Sequence, residues 1–414
     1  MRRAGVLTTR GQSFVAAGAV LLAAGLVLGL GDLVRLGVLL GLLTLVAWLL
    51  VRRPAGWVQV ERTVNPSRLT VGEHGTVRLT VRHGGRWRSP FVVAQEQLGY
   101  ALGDRPRFVL PPMAPRSSRV VVYPVRGSVR GEHQLGPLAV RTRDPFGLTS
   151  RLTRGTGTHQ LLVVPPVLPL AEAGVPGSGQ GQDEEVADTV ALHGEDDVTI
   201  RPYRQGDELR RIHWAASAHT GSLMVRQEEQ PSRRRAVVLL DRRASAHAGE
   251  GPQASFEWAV VAAASVVAHL QQHGYDVGLI TDPAADQEHP VTLDTALDRL
   301  ARATTSDVPL EHGARVVGRG TAGLVVAVLG ADPEGLAALA TARRPGTTAV
   351  ALVVDAAERG DEVVRRGGGA APGAGGAAEV AAGLRACGWR AAVAGLGTTP
   401  GECWREAASR GGRR

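Results

Sequence analysis

The stretch from Ile200 to Ala218 gathers Arg201, Tyr203, Asp207, Arg210, Arg211, His213 and Trp214, with Gly206 just ahead of the acid. Three kinds of chemistry suit these side chains. Arginines facing a carboxylate away from water make geometrically strict ion pairs that add little net stability. Arg, Tyr and Trp are also the side chains that most often anchor a protein interface. A hydrolase could use His213 as its base with Asp207 behind it, yet no nucleophile stands at a recognisable spacing. The residues therefore point to a structural or partner-docking motif, with catalysis the weaker alternative. Locally, Asp207 is placed to cap a short helix with Glu208 in its first turn. Leu209, Ile212 and Ala216 would share one face of that helix, and Gly221 would end it before a strand at Leu223–Val225.

Composition removes several other chemistries. All 47 basic residues are Arg and none is Lys. A Lys-bearing phosphate loop, a Schiff base and a Ser-Lys dyad are thus excluded, and any energy-coupled role must come from a partner. No ATP hydrolysis by this chain is expected, and no enzyme activity. Cys387 and Cys403 stand alone, without the spacing of a zinc site or a disulfide framework. The net charge of +8 is spread along the chain without a basic run interleaved with aromatics, which argues against a nucleic-acid partner.

The elements that must position the motif follow from periodicity. Two apolar runs, at about residues 13–30 and 36–51, are each near the lower length for crossing a bilayer, with a short break at Asp32 and Arg35 between them. Arg2, Arg3 and Arg10 precede the first and Arg52 and Arg53 follow the second, so both ends are expected on the cytoplasmic side. A cleaved signal peptide is a poorer reading, because a second apolar span follows directly. Gly18, Gly25 and Gly29 would let the two helices approach closely. Residues 1–56 are thus expected to be a helical hairpin in the lipid bilayer.

Residues 57–165 change to short alternating stretches with turn residues between, the pattern of a small antiparallel sandwich. Strands are expected at 57–61, 76–81, 91–97, 118–123 and 138–142. That segment closes with Asp144-Pro145-Phe146-Gly147, a turn in which Pro sets φ, Asp bonds backbone amides, Gly permits positive φ and Phe is expected to anchor the turn in a core. Residues 166–199 read as a linker, polar, Gly-rich and acidic over 174–197. Beyond Ala236, strands and helices alternate: strands at 236–240, 277–281, 324–329, 348–354 and 390–394, helices at 255–273, 293–303, 333–343, 378–386 and at the end. Buried strands between helices give a doubly wound α/β sheet, whose ligands would bind at the carboxyl ends of the strands.

The run Tyr203-Arg204-Gln205-Gly206-Asp207, continuing into Arg210-Arg211-Ile212-His213-Trp214, resembles bacterial proteins that carry domain of unknown function 58. Arg130-Gly131 to Gly136-Pro137, the Asp144–Leu148 turn and the N-terminal hairpin support the resemblance, which extends over nearly the whole chain. It implies that 200–414 comprise the motif segment and a von Willebrand factor A-like α/β domain. It also implies association with a MoxR-type AAA+ ATPase and, alongside it, a transglutaminase-like membrane protein. In von Willebrand factor A domains the first strand ends in a DxSxS metal-adhesion motif. Here Asp241-Arg242-Arg243-Ala244-Ser245 keeps Asp241 and Ser245 but has Arg243 as its middle residue, and a guanidinium would repel Mg²⁺. Asp241–Arg243 pairing is the expected arrangement, with Thr281-Asp282 and Asp332 as loose candidates for the neighbouring loops. The expected function is a membrane-anchored cytoplasmic scaffold or adaptor that docks the ATPase during assembly or remodelling of a client complex. The alternatives are an envelope-associated structural protein and, less favoured, a hydrolase using His213 and Asp207.

Overall fold

The structure is a computed structural model and describes residues 6–51, 58–86, 88–89, 91–155, 157–170, 198–203, 212–228, 234–281, 289–320, 322–355 and 376–409. Arg2, Arg3, Arg52, Arg53, Gly206, Asp207, Arg210, Arg211 and Asp282 lie outside the described residues, as does most of the expected linker. The chain divides into two compact units, Met1–Pro165 and Pro166–Arg414.

The first unit begins with helices α1 (Thr9–Leu28) and α2 (Gly31–Val51), which pack side by side. Helices of 20 and 21 residues rise about 30 Å each, enough for a hydrocarbon core. Their outward side chains are apolar and uncovered, Val20, Leu26, Val27, Leu39 and Leu42 among them. Close packing depends on Gly37, where a Cβ would stand 2.8 Å from the Gly18 carbonyl oxygen and 2.8 Å from the Leu22 nitrogen. Gly29 does not join that interface as expected. It is the left-handed C-cap of α1, donating its N–H to Gly25 O, with open space where a side chain would be. The break also differs: Asp32 and Arg35 lie inside α2, paired at 3.1 Å and exposed. An acid in a first helical turn complements the dipole, so this charge starts the helix instead of interrupting the chain.

Eleven strands complete the unit. They are β1 (Val6–Leu7), β2 (Val58–Asn65), β3 (Arg68–Thr70), β4 (His74–His83), β5 (Val92–Glu96), β6 (Arg107–Leu110), β7 (Ser118–Arg126), β8 (Gly131–Leu135), β9 (Leu138–Arg143), β10 (Thr149–Arg154) and β11 (His159–Val164). They form sheets ordered β1-β10-β9-β5-β6, β2-β4-β7 and β3-β11-β8. Pairing is antiparallel except between β3 and β11. Alternate residues of these strands, such as Val77, Leu79 and Val81 of β4 and Val92 and Ala94 of β5, meet in one core. A period of two buries one face of each strand and leaves the other outward.

Hairpin and sheet are joined through β1, which pairs with the start of β10 immediately before α1 begins. Thr8 donates its N–H to Leu148 O at 2.9 Å and its hydroxyl to Gly147 O at 2.6 Å. At the other helix, Thr149 Oγ1 shares its one proton between Ala47 O at 3.2 Å and Asp144 Oδ2 at 2.9 Å. A Cβ on Gly11 would stand 2.1 Å from Leu148 O, so only glycine lets α1 meet this loop.

In the second unit, β12 (Val198–Pro202) and β13 (Met224–Glu228) form a two-stranded ribbon flanking α3 (Trp214–Thr220). The main body is a parallel sheet of β14 (Arg235–Leu240), β15 (Asp276–Ile280), β16 (Leu324–Gly330), β17 (Thr348–Val354) and β18 (Arg390–Ala394), ordered β15-β14-β16-β17-β18. Around it run α4 (Ser255–Gln272), α5 (Leu293–Arg302), α6 (Leu310–Arg319), α7 (Pro333–Ala340), α8 (Gly376–Ala386) and α9 (Pro400–Ser409). Val237, Leu239, Val325, Ala327 and Ala351 point to α6, α7 and α8 in one cluster, while α4 and α9 pack against the sheet and each other. Burial on both faces explains why these strands read as unbroken apolar runs.

Between α4 and α9, His269 stacks edge-on to Trp404 with centroids 5.7 Å apart and lies 4.3 Å from the His273 ring. Burial, and then the neighbouring His273, push its imidazole down to about 4. The unfolded chain therefore takes up a proton at mild acidity that the folded chain refuses. This contribution to stability is complete above pH ~6.5 and is lost as pH falls through the folded value, at a cost of about 2 kcal/mol. Thermal melts between pH 7 and 4 should flatten in a His269→Gln variant; a variant curve with the wild-type slope would show that another group governs acid sensitivity.

Candidate functional site

In an open sheet of this order the crevice lies where the first strand parts from its two neighbours, outside the carboxyl ends. That point falls between β14 and β16. Asp241 follows β14 directly and is fully buried, with its N–H donating to Val328 O of β16 at 2.9 Å. Asp332, two residues past β16, caps α7 by accepting from Glu334 N at 3.0 Å.

The guanidinium of Arg243 stands between these carboxylates. Its Nε and Nη2 donate to Asp241 Oδ1 and Oδ2 at 3.1 and 2.8 Å, a two-pronged pair. Its Nη1 donates to Asp332 Oδ2 at 3.0 Å and to Glu334 Oε2 at 3.3 Å. Ser245 Oγ also donates to Asp332 Oδ2, at 3.2 Å. Burial works against the Arg243 cation, but the Asp241 hydrogen bonds and charge, with Asp332 and Glu334, outweigh it and raise its pKa. His247 closes the loop by bonding Asp241 O through Nε2 at 2.9 Å, and burial holds its imidazole below the usual range. Over the end of β16 a Cβ on Gly330 would stand 1.9 Å from Ala246 O, so the 244–246 loop lies directly on the crevice.

Asp241, Ser245 and Asp332 thus do converge, around an internal cation. The donor set does not fit Mg²⁺: both Asp241 oxygens are taken by the guanidinium, whose charge occupies the place a hard ion would need. Of the loose candidates Asp332 takes part, and Glu334 joins it. No spacing rule pointed to Glu334, which reaches Arg243 from 91 residues away.

The motif segment is arranged differently from expectation. Ile212 is in an isolated bridge with Val225, and His213 N donates to Met224 O at 2.8 Å. Ile212 is thus extended, and α3 begins only at Trp214. His213, not Asp207, is its N-cap: the ring Nδ1 accepts from Ala216 N at 3.1 Å. The pairing of β12 with β13 continues through Tyr203 N, which donates to Leu223 O at 2.8 Å, and places Arg201 opposite Val225. Trp214 is 68% exposed at the head of α3.

In the first unit, the Asp144-Pro145-Phe146-Gly147 turn is the joint between sheet and hairpin. Asp144 is buried; its Oδ1 accepts from Phe146 N at 2.9 Å and its Oδ2 accepts from Thr149 N and Thr149 Oγ1. Burial alone would raise this carboxyl, but those bonds together hold it below the usual range. Phe146, expected to anchor the turn in a core, is 55% exposed. The anchor is Leu148, which is buried.

Fold and site together define a chain with two apolar N-terminal helices, a β-sheet module and a parallel α/β unit whose strand-end crevice is filled by its own arginine. Residues 199–318 match the family described as "Protein of unknown function DUF58". No curated protein matched. Among solved structures, a CARDB domain from Pyrococcus furiosus is similar at 14% identity over 26% of this chain and 87% of that one, with a TM-score of 0.20. The alkylpurine DNA glycosylase AlkC of Pseudomonas fluorescens is similar at 14% identity over 30% and 39%, with a TM-score of 0.16. A cycloisomaltooligosaccharide glucanotransferase of Paenibacillus sp. gives 10% identity over 72% and 53%, with a TM-score of 0.20. Likenesses this slight carry nothing about the activity of this chain.

Proposed function

We propose that the protein is a membrane-anchored cytoplasmic adaptor whose C-terminal unit, of von Willebrand factor A type, docks a MoxR-type AAA+ ATPase and presents it with a client. The observation that carries this reading is Trp214, a large apolar side chain left uncovered within the DUF58 region. Trp, with Tyr and Arg, is among the side chains most enriched as interface anchors, and Leu223, 44% exposed, is a second apolar residue of the segment. The filled strand-end crevice favours binding through this surface over metal-dependent capture of a ligand. His213 is engaged through Nδ1 in capping α3, which speaks against a hydrolase. Two helices of bilayer length, held to the sheet at the start of the first and near the end of the second, support a two-pass anchor.

Co-expressed with a MoxR-type ATPase and purified in detergent, the full chain should retain the ATPase. Trp214→Ala should weaken retention about tenfold or more. Undiminished retention by that variant, or no retention with the hairpin intact, would overturn the docking model. Cys387 is exposed, so a membrane-impermeant maleimide should label it only after cells are opened; labelling in intact cells would place this unit outside.

A further inference from the structure

The geometry points to the outer face of the sheet β1-β10-β9-β5-β6 as a surface that rests on anionic lipid headgroups. This inference stands on the reading of α1 and α2 as membrane-spanning. Cross-strand pairing sets Leu152 opposite Arg141, Arg141 opposite Val93 and Val93 opposite Val109. Opposed residues share a face, so these four form one row across four strands. Leu152, Val93 and Val109 are 41, 48 and 65% exposed, and Arg141 is exposed beside them. Two residues nearer the hairpin come Arg143, opposite Ser150, and Phe91, just ahead of β5 and 67% exposed. An open cleft of about 710 Å³ extends over this face, with Arg107 also on its lining.

Two features select lipid over a protein partner. The first is position. The 144–148 turn carries exposed Phe146 and is bonded at one end to Thr8, the cap of α1, and through Thr149 to Ala47 in the last turn of α2. The sheet therefore starts level with the ends of both helices. Successive rows on one face are about 7 Å apart, so Phe146, Phe91 and the Val93 row fall within the roughly 5–10 Å depth of the headgroup boundary. The second is charge. Arg107, Arg141 and Arg143 are exposed and have no salt-bridge partner among the described residues. The adjacent Asp144 gives its oxygens to turn amides and a hydroxyl. Aromatic and aliphatic side chains set among arginines suit an anionic interface, where Arg is held by headgroups and Phe by the acyl boundary.

The test uses the full chain in nanodiscs on a Cys387→Ser background, Cys403 being buried. Spin labels go at Phe91→Cys, Val93→Cys and Phe146→Cys, with Tyr100→Cys, 89% exposed beyond the far end of β5, as the water control. In discs containing phosphatidylglycerol, labels at 91 and 146 should be about threefold or more less accessible to a water-soluble nickel chelate than the label at 100. Protection should shrink in phosphatidylcholine discs and in R107Q/R141Q/R143Q. Labels as accessible as the control in both lipids would overturn the proposal. So would protection that persists in detergent, because a second copy or another protein would then be covering the face. A label at Leu39→Cys in α2 separates the two readings: if it is also nickel-accessible, the hairpin has failed to insert; if it is oxygen-accessible only, the lipid surface alone is refuted.

Discussion

Replacing Arg243 by Ala is expected to lower the unfolding free energy of the C-terminal unit by about 3–5 kcal/mol, the cost of leaving buried charge without its partner. Asp241 is fully buried and both its oxygens face the guanidinium at 3.1 and 2.8 Å. Asp332 would lose the same cation. Arg243→Lys should recover only part of the loss, since an ammonium cannot make the two-pronged pair while reaching Asp332. A sharper variant is Arg243→Ser, which adds a fourth small oxygen ligand to Asp241, Ser245 and Asp332. It should be as unstable as Arg243→Ala in chelator, yet millimolar Mg²⁺ or Mn²⁺ should restore about 1 kcal/mol or more by binding only the folded state. The wild-type melt should not respond to either ion. Equal metal stabilisation of wild type would mean that the guanidinium does not bar the ion, and a cost of under ~1 kcal/mol for Arg243→Ala would mean that Asp241 is not held charged by this pair.

The parallel sheet was legible because its strands are buried on both faces: Leu324–Gly330 is enclosed along its whole length, and such runs announce themselves. Helix α6 was not. Its buried stripe of Leu310, Gly313, Ala314 and Val317 contains a residue with no side chain, and Gly313 and Gly318 lower its helix propensity, so the apolar rhythm is faint. The start of α3 was misplaced for a related reason. Asp207 and Glu208 are a good local capping signal, but the bridge of Ile212 to Val225 is a tertiary contact, and it holds Ile212 extended, so that the helix begins after His213. Asp241 and Ser245 were found through a motif, and the neighbouring Arg243 already spoke against a metal. What remained hidden was Glu334, which arrives from 91 residues away. Residues such as Val6 and Leu7, too few to show any period, joined a sheet whose other strands begin beyond the hairpin.

The same reach governs the interior of the β module, where Arg62 of β2 and Glu96 of β5 pair at 2.8 Å with side chains 2% and 0% exposed. Arg62 Nη1 also donates to Gly157 O at 2.8 Å. Burial raises the Glu96 carboxyl, against the hydrogen bond and charge of Arg62 that pull it down. Burial and then the Glu96 charge push the nearby Tyr123 phenol upward, so that it stays protonated. Glu96→Ala should cost about 3–5 kcal/mol, because it strands the arginine in a core of Val, Leu and Tyr side chains. The paired change Arg62→Met with Glu96→Leu should fall within about 1 kcal/mol of wild type, or above it, since two desolvated charges are exchanged for apolar contact while the partly exposed Gly157 carbonyl turns to solvent. Denaturant-dependent hydrogen exchange at the amides of β4 and β5 would read both values. If the single and the double variants prove equally unstable, the loss comes from packing at β5, and the ion pair is not what makes Glu96 costly to remove.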